Sequence, residues 1–284
     1  MTRWLITGAG GMLGRDLQEL LAGHPVTALD RAALDITDAD AVAAAVEGHD
    51  VVVNAAAYTK VDDAETNEDD ATRVNGLGAA TLARAAAATG ARLVQVSTDY
   101  VFDGTATSPY DEDAPLDPVS AYGRSKAEGE RRAMAEHPDG TLIVRTAWLY
   151  GQHGPNFAAT MLRFAAQRDT LSVVDDQRGQ PTWTRDLAAQ IVALVESGAR
   201  SGVFHGTSSG ETTWFGFARA VFEEAGLDPE RIQPTDSASF VRPAPRPAYS
   251  VLGHGAWASA GLAPIRDWRA ALSEAVSAGA VAAP

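Results

Sequence analysis

The stretch Arg3-Trp4-Leu5-Ile6-Thr7-Gly8-Ala9-Gly10-Gly11-Met12-Leu13-Gly14 decides the fold. Arg3 to Thr7 reads as a buried strand, and Met12 to Ala22 as a helix. Between them Gly8, Gly10 and Gly11 permit a tight turn whose backbone amides can approach a pyrophosphate. Gly14 lets the helix pack closely on the strand, and the helix N-terminus, Met12 and Leu13 included, faces the phosphates. A glycine-rich turn alone is common. Its place between a strand and a helix makes it a dinucleotide-binding signal.

The same alternation continues outward. Val26 to Asp30 reads as a second strand and Ala39 to Glu47 as a second helix. Val51 to Asn54 is a third strand, Arg73 to Thr89 a long helix, and Arg92 to Ser97 another strand. Continuous apolar runs of this kind imply strands buried on both faces. Strands alternating with helices imply an α/β fold, a Rossmann-type doubly wound parallel sheet. Residues 1–150 read as an NAD(P)-binding domain to which later segments can return. Residues 151–284, richer in Gly, Pro and Trp, read as a smaller C-terminal substrate-binding domain. Arg242 to Ala248 cannot be helical, because its prolines remove donors and restrict their neighbours. The small, apolar stretch Ala275 to Pro284 is expected to fray.

Composition narrows the function. The 284-residue chain carries a formal net charge of −14. Such a surface repels nucleic acid and anionic membrane. An anionic nucleotide ligand therefore needs a locally positive cleft, made by Arg side chains and helix N-termini. There are no cysteines, so disulfides, thiolate nucleophiles and Cys-type zinc sites are excluded. The six histidines never fall at helical ligand spacing, and no metal site is assigned. The acidic runs Glu68-Asp69-Asp70 and Asp111-Glu112-Asp113 read as solvated loop charges. Strand-like sequence from Arg3 leaves no room for a signal peptide, and no apolar run has membrane-spanning length, so the cytoplasm is the expected location.

Asp30 ends the second strand where a carboxylate can hold the adenosine ribose hydroxyls, which favours NAD. Arg31 follows at once and can clamp a 2′-phosphate, so NADPH and NADH both stay open. Asp35-Ile36 and Ala55-Ala56-Ala57 follow the second and third strands, where they border a cofactor.

Tyr122-Gly-Arg-Ser-Lys126 has the Tyr-x-x-x-Lys spacing, which puts both side chains on one helix face. An ammonium beside a phenol pulls its pKa down from about 10 toward neutrality. Such a tyrosine can give a proton to a ketone oxygen as hydride arrives. The chain has only two lysines, Lys60 and Lys126, and six tyrosines. A chance match to this spacing is expected only about 0.04 times. Thr98, at the end of the strand before it, can donate to the same carbonyl oxygen.

Taken together, Asn54 to Glu65, Ser97-Thr-Asp-Tyr-Val-Phe-Asp-Gly104, Tyr122 to Lys126, Arg145 to Gly151 and Asp176 to Thr182 resemble the extended short-chain dehydrogenase/reductases. The resemblance is most specific to the dTDP-4-dehydrorhamnose reductase family. It implies NAD(P)H-dependent reduction of a nucleotide-linked 4-keto-6-deoxy sugar, with a dTDP-sugar as substrate. It implies catalytic Thr98, Tyr122 and Lys126. It also implies substrate contacts at Thr98, Asp99, Tyr122 and Trp148. Cofactor contacts are implied at Gly10, Gly11, Met12, Asp30, Asp35, Ile36, Ala55 to Ala57, Tyr122 and Lys126. Some relatives dimerise with Mg2+ at the interface, so a homodimer and Mg2+ are left open. Sugar dehydratases of the superfamily carry an Asp-Glu pair after the strand threonine. Here Thr98-Asp99 is followed by Tyr100, which argues against dehydration. An NDP-sugar epimerase, or a non-catalytic nucleotide-binding regulatory subunit, remains the alternative.

Overall fold

The computed structural model describes residues 1–281. Its centre is a six-stranded sheet. Five strands are β1 (Trp4–Thr7), β2 (Val26–Leu29), β3 (Val51–Asn54), β4 (Arg92–Thr98) and β5 (Thr141–Thr146), and the sixth is Gly202–His205. Their spatial order is β2-β1-β3-β4-β5 and then Gly202–His205, with every pairing parallel. β1 has β2 on one side and β3 on the other, so the winding reverses there. A crevice opens at such a point outside the carboxyl ends of the strands.

The strand pleat sends alternate residues to opposite faces. Trp4 and Ile6 join a core with Leu13 and Leu17 of helix α1 (Met12–Leu20) and Leu187 and Ile191 of the helix Thr184–Glu196. Leu5 faces the other way. It meets Val42 of α2 (Ala39–Val46) and Leu82 of the helix Gly78–Thr89. Each such side chain, fully buried, stabilises the fold by about 1.5–3 kcal/mol. β1, β3 and β5 are buried along their whole length, as their apolar runs predict. β2 is not: it is the sheet edge, with one neighbour, and its residues are exposed or half-exposed.

Residues after 150 build a second core. Phe217, Val221 and Phe222 of the helix Trp214–Glu224 meet Tyr150, Trp183, Ile232 and Leu272 there. The helix Thr184–Glu196 and the strand Gly202–His205 instead return to the first sheet.

Two expectations from the sequence need correction. The helix expected from Arg73 runs from Glu68 and widens into a π turn at Arg73–Leu77 before continuing as Gly78–Thr89. The widened turn carries Asn75, which is buried and hydrogen-bonded to two neighbouring segments. The tail does not fray from Ala275. The helix Trp268–Ser277 covers its start, and Ala280 and Val281 are buried against the second core, which gives their apolar side chains a place to pack. Residues 282–284 lie outside the described residues. Arg242 to Ala248 is non-helical, as its prolines require. No helix among the described residues is long and apolar enough to cross a membrane.

One buried ion pair ties the layers together. Arg145 of β5 makes a two-pronged bond to Glu130 of the helix Ala121–Glu136, with Nε–Oε1 at 3.0 Å and Nη2–Oε2 at 2.8 Å. Both side chains are about 5% exposed or less. The third nitrogen donates to the Glu112 carbonyl at 3.0 Å and meets His205 Nε2 at 3.2 Å. His205 Nδ1 in turn bonds the Gly253 carbonyl, so the ring is neutral and its proton sits on Nδ1. Burial, then the Arg145 charge, hold this imidazole down at about 3. Removing one charge strands the other. Glu130→Ala is expected to cost about 3–5 kcal/mol in chemical denaturation. Glu130→Leu with Arg145→Met is expected to cost clearly less than the two single changes summed. Strict additivity would show that the pair is not coupled.

Candidate active site

Three chain segments form the cleft at the winding reversal. Gly8 adopts φ +70°, and a Cβ there would lie 2.5 Å from Ala56 N and 2.6 Å from Ala55 C. Only glycine fits between the first turn and the end of β3. A Cβ on Gly14 would meet Gly8 O at 2.5 Å, so α1 presses directly on the turn. Gly11 caps α1 without a side-chain bond, which leaves first-turn N–H groups for an anion.

The resulting cavity of about 650 Å³ is lined by Gly8, Gly10, Gly11, Asp30, Arg31, Asp35, Ile36 and Ala55 to Ala57. These were singled out from the sequence. Tyr58, Thr59, Asp70, Arg73 and Val74 line it too, and were not. Met12, Leu13 and Gly14 lie outside the lining, and the Leu13 side chain is buried in the core. Asp30 also serves its own turn: Oδ1 accepts from the N–H groups of Ala32 and Ala33 at 3.0 and 3.1 Å.

The residues expected to handle the proton lie at the carboxyl end of β4 and the start of the helix Ala121–Glu136. Ser120 caps that helix by accepting from Gly123 N at 3.1 Å. Thr98 ends β4. Its hydroxyl donates to Asp99 Oδ1 at 2.9 Å and accepts from Tyr100 N at 3.2 Å. Tyr122 is half-buried and stands edge-on to Tyr100, with centroids 5.8 Å apart. Lys126 is buried, and its Nζ donates to the Val96 carbonyl at 2.6 Å. Asp99 is only 1% exposed, so it meets Thr98 rather than presenting itself to a ligand.

The electrostatics correct one expectation. The Tyr122 phenol is not drawn toward neutrality, as the Tyr-x-x-x-Lys spacing predicts it would be. Burial, then the Asp99 charge, push that phenol above its ordinary value, and a Thr98 hydrogen bond offsets part of this. Burial lowers the Lys126 amine to about 8 against the opposing Glu130 charge. Burial also raises the Asp99 carboxyl to about 6. Desolvation favours the neutral form of every group here. Tyr122 therefore holds its proton at neutral pH.

Asn75 joins cleft and helix. Its Oδ1 accepts from Tyr58 N at 2.8 Å, and its Nδ2 donates to Tyr58 O at 3.1 Å and to Ser125 Oγ at 2.9 Å. Ser125 donates on to the Tyr122 carbonyl at 2.7 Å. The proline-rich segment after Arg242 packs on the stretch that follows β3. Arg246 pairs with Asp62 at 3.0 Å and lies over the Tyr100 ring. The sequence signal for Asn75 and Glu130 was weak, because neither belongs to a spaced motif.

Acidic runs are engaged within the protein. Glu68 pairs with Arg124 at 2.7 Å, and Glu112 accepts from Ala256 N at 2.9 Å. Asp16, Glu19 and His153 bring ligand-type atoms within 4.8 Å of one another, but Glu19 already meets His153 at 2.9 Å. We assign no ion to them.

Trp148 alone among the described non-glycine residues has a positive φ, +47°. Such backbone costs about 1–3 kcal/mol and persists where its surroundings demand it. Its indole stacks on Trp214 with centroids 3.7 Å apart and an angle of 11°. On another side lies Gly179, where a Cβ would sit 2.5 Å from Trp148 Cε2. The indole thus fills a slot only a glycine leaves open. Gly179→Ala is expected to expel it, costing about 1–3 kcal/mol by overpacking. The near-ultraviolet circular dichroism of the stacked pair should weaken. An unchanged spectrum would show that the slot does not constrain Trp148.

Comparison with known proteins agrees with this architecture. The family model described as the RmlD substrate binding domain matches residues 2–281. A dTDP-4-keto-6-deoxy-D-glucose reductase of Streptomyces niveus is 54% identical over 96% of each chain. A dTDP-4-dehydrorhamnose reductase of Streptomyces griseus is 53% identical, over 96% of this chain and 92% of the relative. The solved dTDP-4-dehydrorhamnose reductase of Bacillus anthracis, in complex with NADP, superposes with a TM-score of 0.94. It is 37% identical, with 98% of this chain and 100% of that one covered. With the matched region running almost end to end, the chain belongs to the RmlD substrate binding domain family.

Proposed function

We propose that this chain reduces a nucleotide-linked 4-keto-6-deoxy sugar with NADPH or NADH, the substrate being dTDP-4-dehydro-L-rhamnose or a closely related dTDP-deoxysugar. One observation carries the reading. A protonated Tyr122 stands with Thr98 at the carboxyl end of β4, tied through Ser125 and Asn75 to the rim of the glycine-lined cleft. In this reading residues 1–150, with the segments that return to the sheet, hold the dinucleotide. The rest of 151–284 holds the sugar nucleotide, with Trp148 against the sugar. Relatives that are dTDP-4-keto-sugar reductases, one of them solved in complex with NADP, support the reduction.

The cleft suits the cofactor. A cradle that a Cβ at Gly8 would fill lies beside an open helix N-terminus. When bound, the reduced nicotinamide supplies the hydride. Thr98 and Tyr122 present hydroxyls where the carbonyl oxygen lies. Tyr122 gives its proton to that oxygen as the carbonyl carbon gains hydride, so C=O becomes CH–OH and a phenolate remains. Lys126, largely charged at pH 7, stabilises that phenolate until solvent returns a proton. Asp99, through Thr98, orients the hydroxyl. Tyr100 stands where a dehydratase glutamate would be, so elimination of water lacks its acid–base group.

Tyr122→Phe is expected to fold, keep dinucleotide affinity and lose roughly 10²–10⁴ in kcat. Near wild-type turnover would refute the assignment. The kcat/KM for reduction is expected to decline as pH rises through about 8, where the Lys126 amine loses its charge. A profile flat across that range would remove Lys126 from the chemistry. Stoichiometry separates the alternatives. A reductase consumes one NAD(P)H per sugar reduced. Product formed with only catalytic cofactor marks an epimerase. Cofactor binding with no turnover on any dTDP-4-keto sugar marks a regulatory subunit.

A further inference from the structure

The ends of β1, β3 and β4 carry a row of buried polar side chains that the chemistry above does not use. Thr7, Asn54 and Gln95 are neighbours in the parallel register, Thr7 beside Asn54 and Asn54 beside Gln95. One residue earlier the same row is apolar, with Ile6, Val53 and Val94. Each of the three polar residues is 2% exposed or less. Packing alone would be served by apolar side chains here too, because a buried amide is costly unless it is bonded.

The row forms one directed chain of hydrogen bonds. Thr7 Oγ1 donates to Asn54 Oδ1 at 2.7 Å, and Ala56 N donates to the same oxygen at 3.1 Å. A backbone N–H can only donate, so the Asn54 amide keeps its oxygen on that side. Its Nδ2 then donates to Gln95 Oε1 at 2.7 Å. That turns Gln95 Nε2 to the Val96 carbonyl, to which it donates at 3.0 Å. Lys126 Nζ reaches the same carbonyl from the helix Ala121–Glu136, at 2.6 Å. The oxygen that docks the lysine is therefore itself held by Gln95. The ladder between β3 and β4 ends at Asn54 and Gln95, one residue short of that carbonyl. At the other end of the chain, Ala56 lines the glycine cleft.

We propose that Gln95 is a positioning residue for the reduction: its amide, oriented through Asn54 by the Ala56 N–H, holds the Val96 carbonyl where that oxygen docks the Lys126 amine. This rests on the reductase reading of the site and names a residue that acts through Lys126. A lysine amine is a point charge on a flexible four-carbon stem. Seated on one oxygen, it keeps its other N–H bonds for the phenolate that forms on Tyr122. Without Gln95 that oxygen loses a donor and the amine loses a fixed seat. A misplaced charge costs rate more than binding.

Having only two lysines makes the seat directly readable. With lysine isotopically labelled at Cε, nuclear magnetic resonance gives two signals, from exposed Lys60 and buried Lys126, and Lys126→Met tells them apart. Gln95→Met is expected to move or broaden the Lys126 signal and to leave that of Lys60 in place. It is expected to lower kcat about threefold to tenfold, the scale of one neutral hydrogen bond, with KM for sugar and cofactor within about twofold. Added to Lys126→Met, the same change is expected to cost nothing further, because its effect passes through the lysine. Thr7→Val removes only the far donor and is expected to act in the same direction more weakly, so the test stands even where Gln95→Met folds poorly. Wild-type kcat with an unmoved Lys126 signal in both variants would overturn the proposal. So would a Gln95→Met loss that adds in full to that of Lys126→Met. A wild type that reduces no dTDP-4-keto sugar overturns the reductase reading and the role of Gln95 together, whereas normal turnover with unaffected variants overturns only the role of Gln95.

Discussion

Everything the site does depends on how closely one helix lies against the sheet. Ala121–Glu136 carries Tyr122, Ser125 and Lys126, and two glycines let it touch backbone. A Cβ on Gly123 would meet Tyr100 O at 2.2 Å, and one on Gly129 would meet Asn75 O at 2.3 Å. The Glu130–Arg145 pair then locks the helix to β5. A buried ion pair of this kind contributes little net stability compared with apolar packing, but it tolerates one arrangement only. The helix is held in register by contacts that have no slack.

That tight packing also sets the protonation states. Water is excluded from Asp99 and Lys126, so each is driven toward its neutral form, and Tyr122 keeps its proton. A tyrosine with a lowered pKa would have been half-spent as an acid. Here the phenol starts loaded, which suits proton donation in the direction of reduction. Lys126 is fixed on the Val96 carbonyl, and whatever its charge contributes at the phenol is outweighed by burial and by Asp99.

An acidic protein that handles anionic ligands must concentrate its positive potential. The chain does so with backbone as much as with side chains. The uncapped start of α1 and the close approach of Gly8 to β3 expose amides to a phosphate at no cost in net charge. Arginines are added at the rim, where their charge is only partly neutralised by neighbouring carboxylates. At the strained Trp148, stacked on Trp214 in the slot that Gly179 leaves, shape replaces charge.

The sequence by itself determined the parallel sheet, because apolar runs and helical stretches alternate and a glycine turn joins the first pair. It also determined most of the cleft lining, and it placed Thr98 at a strand end and Tyr122 and Lys126 on one helix face, because each sits at a fixed spacing from a strand end or a helix partner. These are local constraints, legible over a few residues. Tertiary structure alone decided what arises between distant segments. The edge position of β2, the burial of Ala280 and Val281, and the Asn75 tie between Tyr58 and Ser125 depend on neighbours far along the chain. So do the slot that Gly179 leaves for Trp148 and the reach of Arg73 across to Thr37. The direction of the Tyr122 shift was misjudged for the same reason. Spacing places Lys126 on the same helix face, but only the fold shows that its amine donates to the Val96 carbonyl and that burial and the Asp99 charge prevail at the phenol.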